Sequence, residues 1–156
     1  MDAGFVNAYL TAVQNVFAKM LSLDIVMGKP VLKKDNHSSG DVTGVIGFAG
    51  DKKGTFSLAF STKGAVFVYK RFVSEEVSSV TPDVVDAVGE LTNIISGQTR
   101  VEIERLGYKL SAALPTVVVG HDVAINFITK LPVISLPFTF QTDNGPEGLF
   151  LDFSFE

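Results

Sequence analysis

Five polar or unencumbered residues recur at helical spacing in the middle of the chain: Asp86, Glu90, Asn93, Gly97 and Arg100. At about 100° per residue they fall within roughly 80° of one another on a helix surface. Two carboxylates, a carboxamide, a bare glycine and a guanidinium would then form one narrow ridge, a set suited to hydrogen bonding, charge pairing and close docking. Val84, Val85, Val88, Leu91, Ile94, Ile95, Val101 and Ile103 spread over the rest of the cylinder, so the same helix can pack. A polar stripe on an amphipathic helix is ordinarily its solvated face, and that reading stands beside the functional one. Three features count against it. Asn93 is a poor helix former, costing a few tenths of a kcal/mol, and Gly97 costs about 1 kcal/mol while removing bulk beside Asn93. The stripe also lacks the regular Glu-to-Lys pairing of solvated faces.

Chemistry elsewhere is sparse. His37 and His121 are too few, and too far from an acidic cluster, to suggest a metal site. Gly44, Gly47 and Gly50 lack phosphate-loop spacing and sit in a strand pattern. There is no G-x-S-x-G elbow and no cysteine nucleophile. The net charge of −4, with only the doublets Lys33-Lys34 and Lys52-Lys53, argues against nucleic acid as a partner. The absence of cysteine fits a reducing cytosol. With no export-type N-terminus and no apolar run reaching about 18 residues, the expected location is cytoplasmic, away from any membrane.

The elements that must position the ridge follow from periodicity. The chain has 156 residues, 46% hydrophobic with thirteen Phe, enough for one domain over 1–156 with a substantial core. Ala3 to Leu21 repeats apolar residues at spacings of three and four, a helix. Val42 to Phe48 and Thr55 to Phe60 form an antiparallel hairpin about Gly50-Asp51-Lys52-Lys53-Gly54. A shorter helix is expected over Lys63 to Val73. The ridge helix runs from Thr81 to Gly107: Thr81 caps it, Pro82 begins it without loss, Asp83 favours its positive end, and Arg105 and Gly107 mark its close. Strands are expected at Ala113 to Val119, Val123 to Ile128, Ile134 to Gln141 and Leu149 to Phe155, with Asp143-Asn144-Gly145 turning the last pair.

Each long helix is followed, nine positions on, by a proline that opens a β-rich stretch: Leu21 to Pro30, and Leu106 to Pro115. This spacing implies a degenerate helix-plus-strands unit used twice at an offset of 85 residues. At that offset Glu90 answers to Phe5 and Asn93 to Ala8, leaving only the second helix chemically armed. The expected fold is α+β, with two long helices on one face of a mostly antiparallel sheet.

Asp86, Glu90 and Asn93, followed by Pro115-Thr116-Val117-Val118-Val119-Gly120-His121-Asp122, resemble the signature of the CheC/CheX/FliY chemotaxis phosphatases: a small polar or acidic residue, Glu and Asn on one helix, with a distal Pro. The single armed helix is similar to the CheX branch, since CheC carries two. Met1-Asp2-Ala3, Val6-Asn7-Ala8, Gly28-Lys29-Pro30, Val45-Ile46-Gly47 and Leu131-Pro132-Val133-Ile134-Ser135 extend the likeness along the chain.

The resemblance implies a CheC-like fold and hydrolysis of the aspartyl phosphate on a CheY-like receiver domain. The receiver would bring its own Mg²⁺, so this chain would bind no cofactor. Asn93 would hold one water in line with phosphorus, and Glu90 would pair with the receiver's active-site Lys. Asp86 would shape the interface, and Gly89, with Thr92, would let the receiver approach or simply pack the helix. Gly97 and Arg100 complete the partner-binding set, Arg100 meeting either an acidic receiver surface or the helix's own carbonyls. The family tends to form homodimers. A non-catalytic module docking a receiver or a motor-type partner is the alternative, and a structural homodimer with a solvated stripe is a third.

Overall fold

The computed structural model describes residues 3–130 and 132–156. Met1, Asp2 and Leu131, which contribute to the resemblance, lie outside the described residues. Helix α1 spans Ala3–Leu21, followed by β1 (Val26–Met27), β2 (Val31–Lys33), β3 (Val42–Gly50) and β4 (Gly54–Phe60). Helices α2 (Thr62–Val73) and α3 (Pro82–Glu104) come next, then β5 (Leu110–Ala112), β6 (Thr116–Val119), β7 (Val133–Thr142) and β8 (Gly145–Phe155). The eight strands form one sheet in the order β1-β7-β8-β4-β3-β5, with β2 also on β7 and β6 also on β3. Every one of these pairings is antiparallel.

Strand alternation explains which face the helices cover. Phe56, Leu58 and Phe60 of β4 stand beside Phe153, Leu151 and Leu149 of β8, and all six are buried. Helix α1 meets this surface through rings: Tyr9 lies against Phe56 and Phe153, Phe17 against Phe140, and Phe5 against Phe155. Burying each such side chain contributes about 1.5–3 kcal/mol.

The two expected units are visible in the topology. β1 and β2 of the first unit border β7 of the second, while β5 and β6 of the second border β3 of the first. The prolines hold their predicted equivalence, Pro30 directly preceding β2 and Pro115 directly preceding β6. Through the helices, however, the offset of 85 fails. It would place the buried Phe5 and Ala8 opposite the exposed Glu90 and Asn93. Burial comes into phase when Phe5 is set opposite Val88, Ala8 opposite Leu91, Ala12 opposite Ile95 and Val16 opposite Thr99, all buried. Glu90 then answers to Asn7 and Asn93 to Leu10, and the first helix still lacks the polar pair.

Two strand expectations are corrected. Ala113 to Val119 is not one strand: β5 ends at Ala112, and β6 starts only after Pro115, whose missing N–H interrupts a ladder. Val123 to Ile128 is not a strand, since its one ladder contact is an isolated bridge between His37 and Ala124. It is an extended strap whose alternation arises because Val123, Ile125 and Phe127 are partly covered while Ala124, Asn126 and Ile128 are exposed. Its backbone is tied point by point, with Ser38 N–H donating to the Val123 carbonyl and Ile125 N–H to that of Asn36. β1 and β2, of two and three residues, are too short to register as periodicity.

Candidate functional site

The ridge helix is built as its punctuation demands. Thr81 is extended, and its Oγ1 accepts from Val84 N–H at 3.3 Å. Pro82 opens the helix and Asp83 lies in its first turn. The helix ends at Glu104, and Gly107 just beyond takes a positive φ of 99°. Val84, Val88, Leu91 and Ile95 face inward, fixing the rotation of the helix and with it the direction of the ridge.

Asp86, Glu90 and Asn93 are exposed, as the periodicity requires. Among the described residues none of the three side chains has an ion pair or side-chain hydrogen bond. Their polar atoms are thus available to a partner. Asp86, Gly89, Glu90 and Asn93 form one wall of an open groove of about 520 Å³, and Leu114, Pro115 and Val117 form the opposite one. The distal proline of the motif, 22 positions beyond Asn93, therefore sits across the groove from it. On the other flank of α3, Asp86 and Glu90 also line a second groove, of about 410 Å³, with Tyr69 and Glu75. There the Tyr69 hydroxyl donates to Glu75 Oε2 at 2.8 Å, and that carboxylate pushes the phenol pKa up to about 12.

The remaining ridge residues divide. A Cβ at Gly97 would meet nothing within 4 Å, so no close approach within this chain requires the glycine there. Gly89 lies against β6, where a Cβ would come within 3.2 Å of Val117 Cγ2. Its smallness brings the groove's two walls together. Arg100 is only partly exposed, and its Nε is buried without a hydrogen-bond partner.

Thr92 does not flank the exposed surface. It is fully buried, with Oγ1 donating to the Val88 carbonyl at 2.7 Å, and it sits directly over Gly44 of β3, where any Cβ would collide with it. Thr92 is a packing residue because a small side chain over a glycine lets α3 lie close to the sheet. Leu114, 87% exposed at the groove's rim, carries no signal in the sequence, since nothing marks one loop leucine as facing Asn93, 21 positions earlier. The two histidines each meet a carboxylate at 3.0 Å, His37 with Asp122 and His121 with Asp41. The His121 hydrogen bond, helped by Thr62 N–H, holds the Asp41 carboxyl below its usual range. Among the described residues no group of three or more His, Asp or Glu is placed to hold a metal ion, and no helix is long and apolar enough to cross a membrane.

The chain is similar to known proteins over most of its length. The model of the chemotaxis phosphatase CheX family matches residues 42–139. CheY-P phosphatase CheX of Thermotoga maritima is 30% identical over 137 residues, covering 85% of this chain and 88% of that protein. The crystal structure of a chemotaxis protein CheX from Desulfovibrio desulfuricans is 35% identical and superimposes with a TM-score of 0.85 over 97% of this chain and 99% of the other. A CheX from Borrelia burgdorferi, crystallised as a CheX–CheY–BeF₃–Mg²⁺ complex, shares the fold at 22% identity, with a TM-score of 0.78 over 97% of each chain. The chain belongs to the CheX family of chemotaxis phosphatases.

Proposed function

We propose that this CheX-family chain hydrolyses the aspartyl phosphate of a CheY-like receiver domain, with Asn93 and Glu90 as its working residues. The observation that carries the reading is the groove in which exposed, unpaired Glu90 and Asn93 face Pro115. An acyl phosphate has a carboxylate leaving group that departs without protonation at neutral pH. What the reaction lacks is a water fixed in line with phosphorus. The Asn93 carboxamide offers an acceptor for a water proton and donors for a phosphoryl oxygen, and needs no shifted pKa. The water oxygen bonds to phosphorus as the aspartyl oxygen leaves, giving inorganic phosphate and a free carboxylate. Mg²⁺ on the receiver would neutralise phosphoryl charge; this chain binds none.

Glu90, one turn before Asn93, pairs with a cation of the receiver and sets the docking register. Asp86 and Arg100 extend the contact along the ridge, while Gly89 and Gly97 keep it low. The chain acts as one cytoplasmic domain and as a homodimer, a reading supported by exposed Val31, Leu32 and Val119 on short strands at the sheet's borders. The test is phosphate release from a Mg²⁺-loaded, phosphorylated CheY-like receiver with and without the protein. Accelerated release supports the phosphatase. Unchanged release from several receivers that nonetheless bind it would make the ridge a docking surface only.

A further inference from the structure

The two walls of the ridge groove differ in chemistry. Along α3 the lining is polar, with Asp86, Glu90 and Asn93, whereas the facing segment contributes Leu114, Pro115 and Val117. That apolar wall begins as a short bulge on the sheet's edge. Ala113 N–H donates to the Gly47 carbonyl at 3.0 Å and Thr116 pairs in register with Val45, so β3 pins the chain on both sides of Leu114 and Pro115. Pro115 fixes its own φ and restricts the residue before it, Leu114, to extended backbone. The bulge is therefore stiff.

On this constrained backbone the Leu114 side chain is more exposed than any other large hydrophobic among the described residues. A single exposed leucine is common on protein surfaces and signals nothing alone. This one stands across the groove from Glu90 and Asn93, whose side chains are unpaired among the described residues. A body that enters far enough to take the Asn93 carboxamide must pass along the opposite wall and cover Leu114. Because the bulge is already held, covering it releases water from apolar surface with little further ordering of the chain.

We propose that Leu114 is an apolar anchor for the receiver, filling a shallow hydrophobic depression beside the receiver's phosphorylated aspartate. The inference rests on the groove being the receiver's docking site, and it divides the contact between two kinds of force. Glu90 supplies a charge pairing that salt screens, and Leu114 supplies apolar burial that salt does not screen. A second copy of this chain seated on Leu114 would fill the groove and shut Asn93 away, so a receiver and a second copy cannot both occupy it. The continuity of Leu114 with the Asn93 groove favours the receiver.

The test is calorimetric titration of the whole protein with a Mg²⁺-loaded CheY-like receiver carrying BeF₃ in place of the phosphoryl group, beside phosphate release from the phosphorylated receiver. Leu114→Ala is expected to keep its melting temperature and its mass by light scattering, to weaken binding about tenfold, and to raise KM alike while kcat holds. Leu114→Met should restore most of the affinity. Raising the NaCl concentration should shrink the loss caused by Glu90→Gln and leave that of Leu114→Ala in place. Undiminished binding by Leu114→Ala would overturn the anchor, as would a loss that fades with salt. A changed mass with unaltered receiver affinity would also overturn it and make the leucine a contact between copies. Wild-type protein that binds the receiver without hydrolysing its phosphate would refute the phosphatase and leave the anchor to be judged on affinity; wild-type protein that binds none of several receivers would refute both.

Discussion

Helices α1 and α3 hold corresponding places in two related units, yet they approach the sheet differently. Helix α1 meets it through Phe5, Tyr9 and Phe17, whose rings lie against Phe155, Phe56, Phe153 and Phe140. Helix α3 closes on β3 and β6 at two glycines, Gly44 beneath Thr92 and Gly89 beside Val117. Aromatic packing fills space and leaves an ordinary outer face, where Asn7 and Leu10 occupy the positions of Glu90 and Asn93. Close approach puts the Pro115 segment within reach of the outer face of α3, so helix and loop together wall a groove. On the proposed reading, the difference teaches that arming one copy takes two polar side chains and also a thin contact beneath them.

That contrast can be broken at either end. Phe17→Ala removes a fully buried ring from α1 and should cost about 3–5 kcal/mol of stability in urea titration, with the kcat of the folded fraction unchanged. Asn93→Ala should do the reverse, leaving the melting temperature in place while removing about 2–4 kcal/mol of transition-state stabilisation, read from kcat. Gly44→Ala drives a methyl into Thr92. It should cost about 1–3 kcal/mol of stability and lower activity as well, because α3 must lift from the sheet. Glu90→Gln should raise KM about three- to tenfold with kcat nearly constant, an effect that fades as salt increases.

The smallest effect concerns the second groove. The Tyr69 phenol is held protonated by Glu75, with its pKa pushed up to about 12 from 10.0. A group whose folded pKa is raised stabilises fully below its unfolded pKa, so this contribution is present below about pH 10 and is lost as pH climbs towards 12. Tyr69→Phe should therefore flatten the alkaline limb of the stability profile between those values while leaving neutral activity intact.

Much of this was legible in the sequence because the signals were local. Thr81 and Pro82 announce the start of α3, and its apolar positions announce its rotation, which suffices to turn Asp86, Glu90 and Asn93 outward. The hairpin of β3 and β4 follows from alternation about Gly50 and Gly54. What escaped was non-local. Val123 to Ile128 alternates like a strand, but its partners are scattered among Asn36, Ser38 and Thr55, a fact its own residues do not record. Thr92 reads as a ridge neighbour until Gly44, 48 positions earlier, is seen beneath it. Matching prolines suggested an offset of 85 that the buried stripes of the helices contradict, because spacing between landmarks is blind to which side of a helix is covered.

The most direct test of the central claim is a single-turnover comparison of wild-type protein and Asn93→Ala at saturating concentrations over a phosphorylated, Mg²⁺-loaded CheY-like receiver, where differences in binding drop out. The account predicts rapid phosphate loss with the wild type and, with a folded variant that still binds, a rate about 30-fold to 1,000-fold lower. Equal rates from the two proteins would contradict it, and would take the attacking water out of the hands of Asn93.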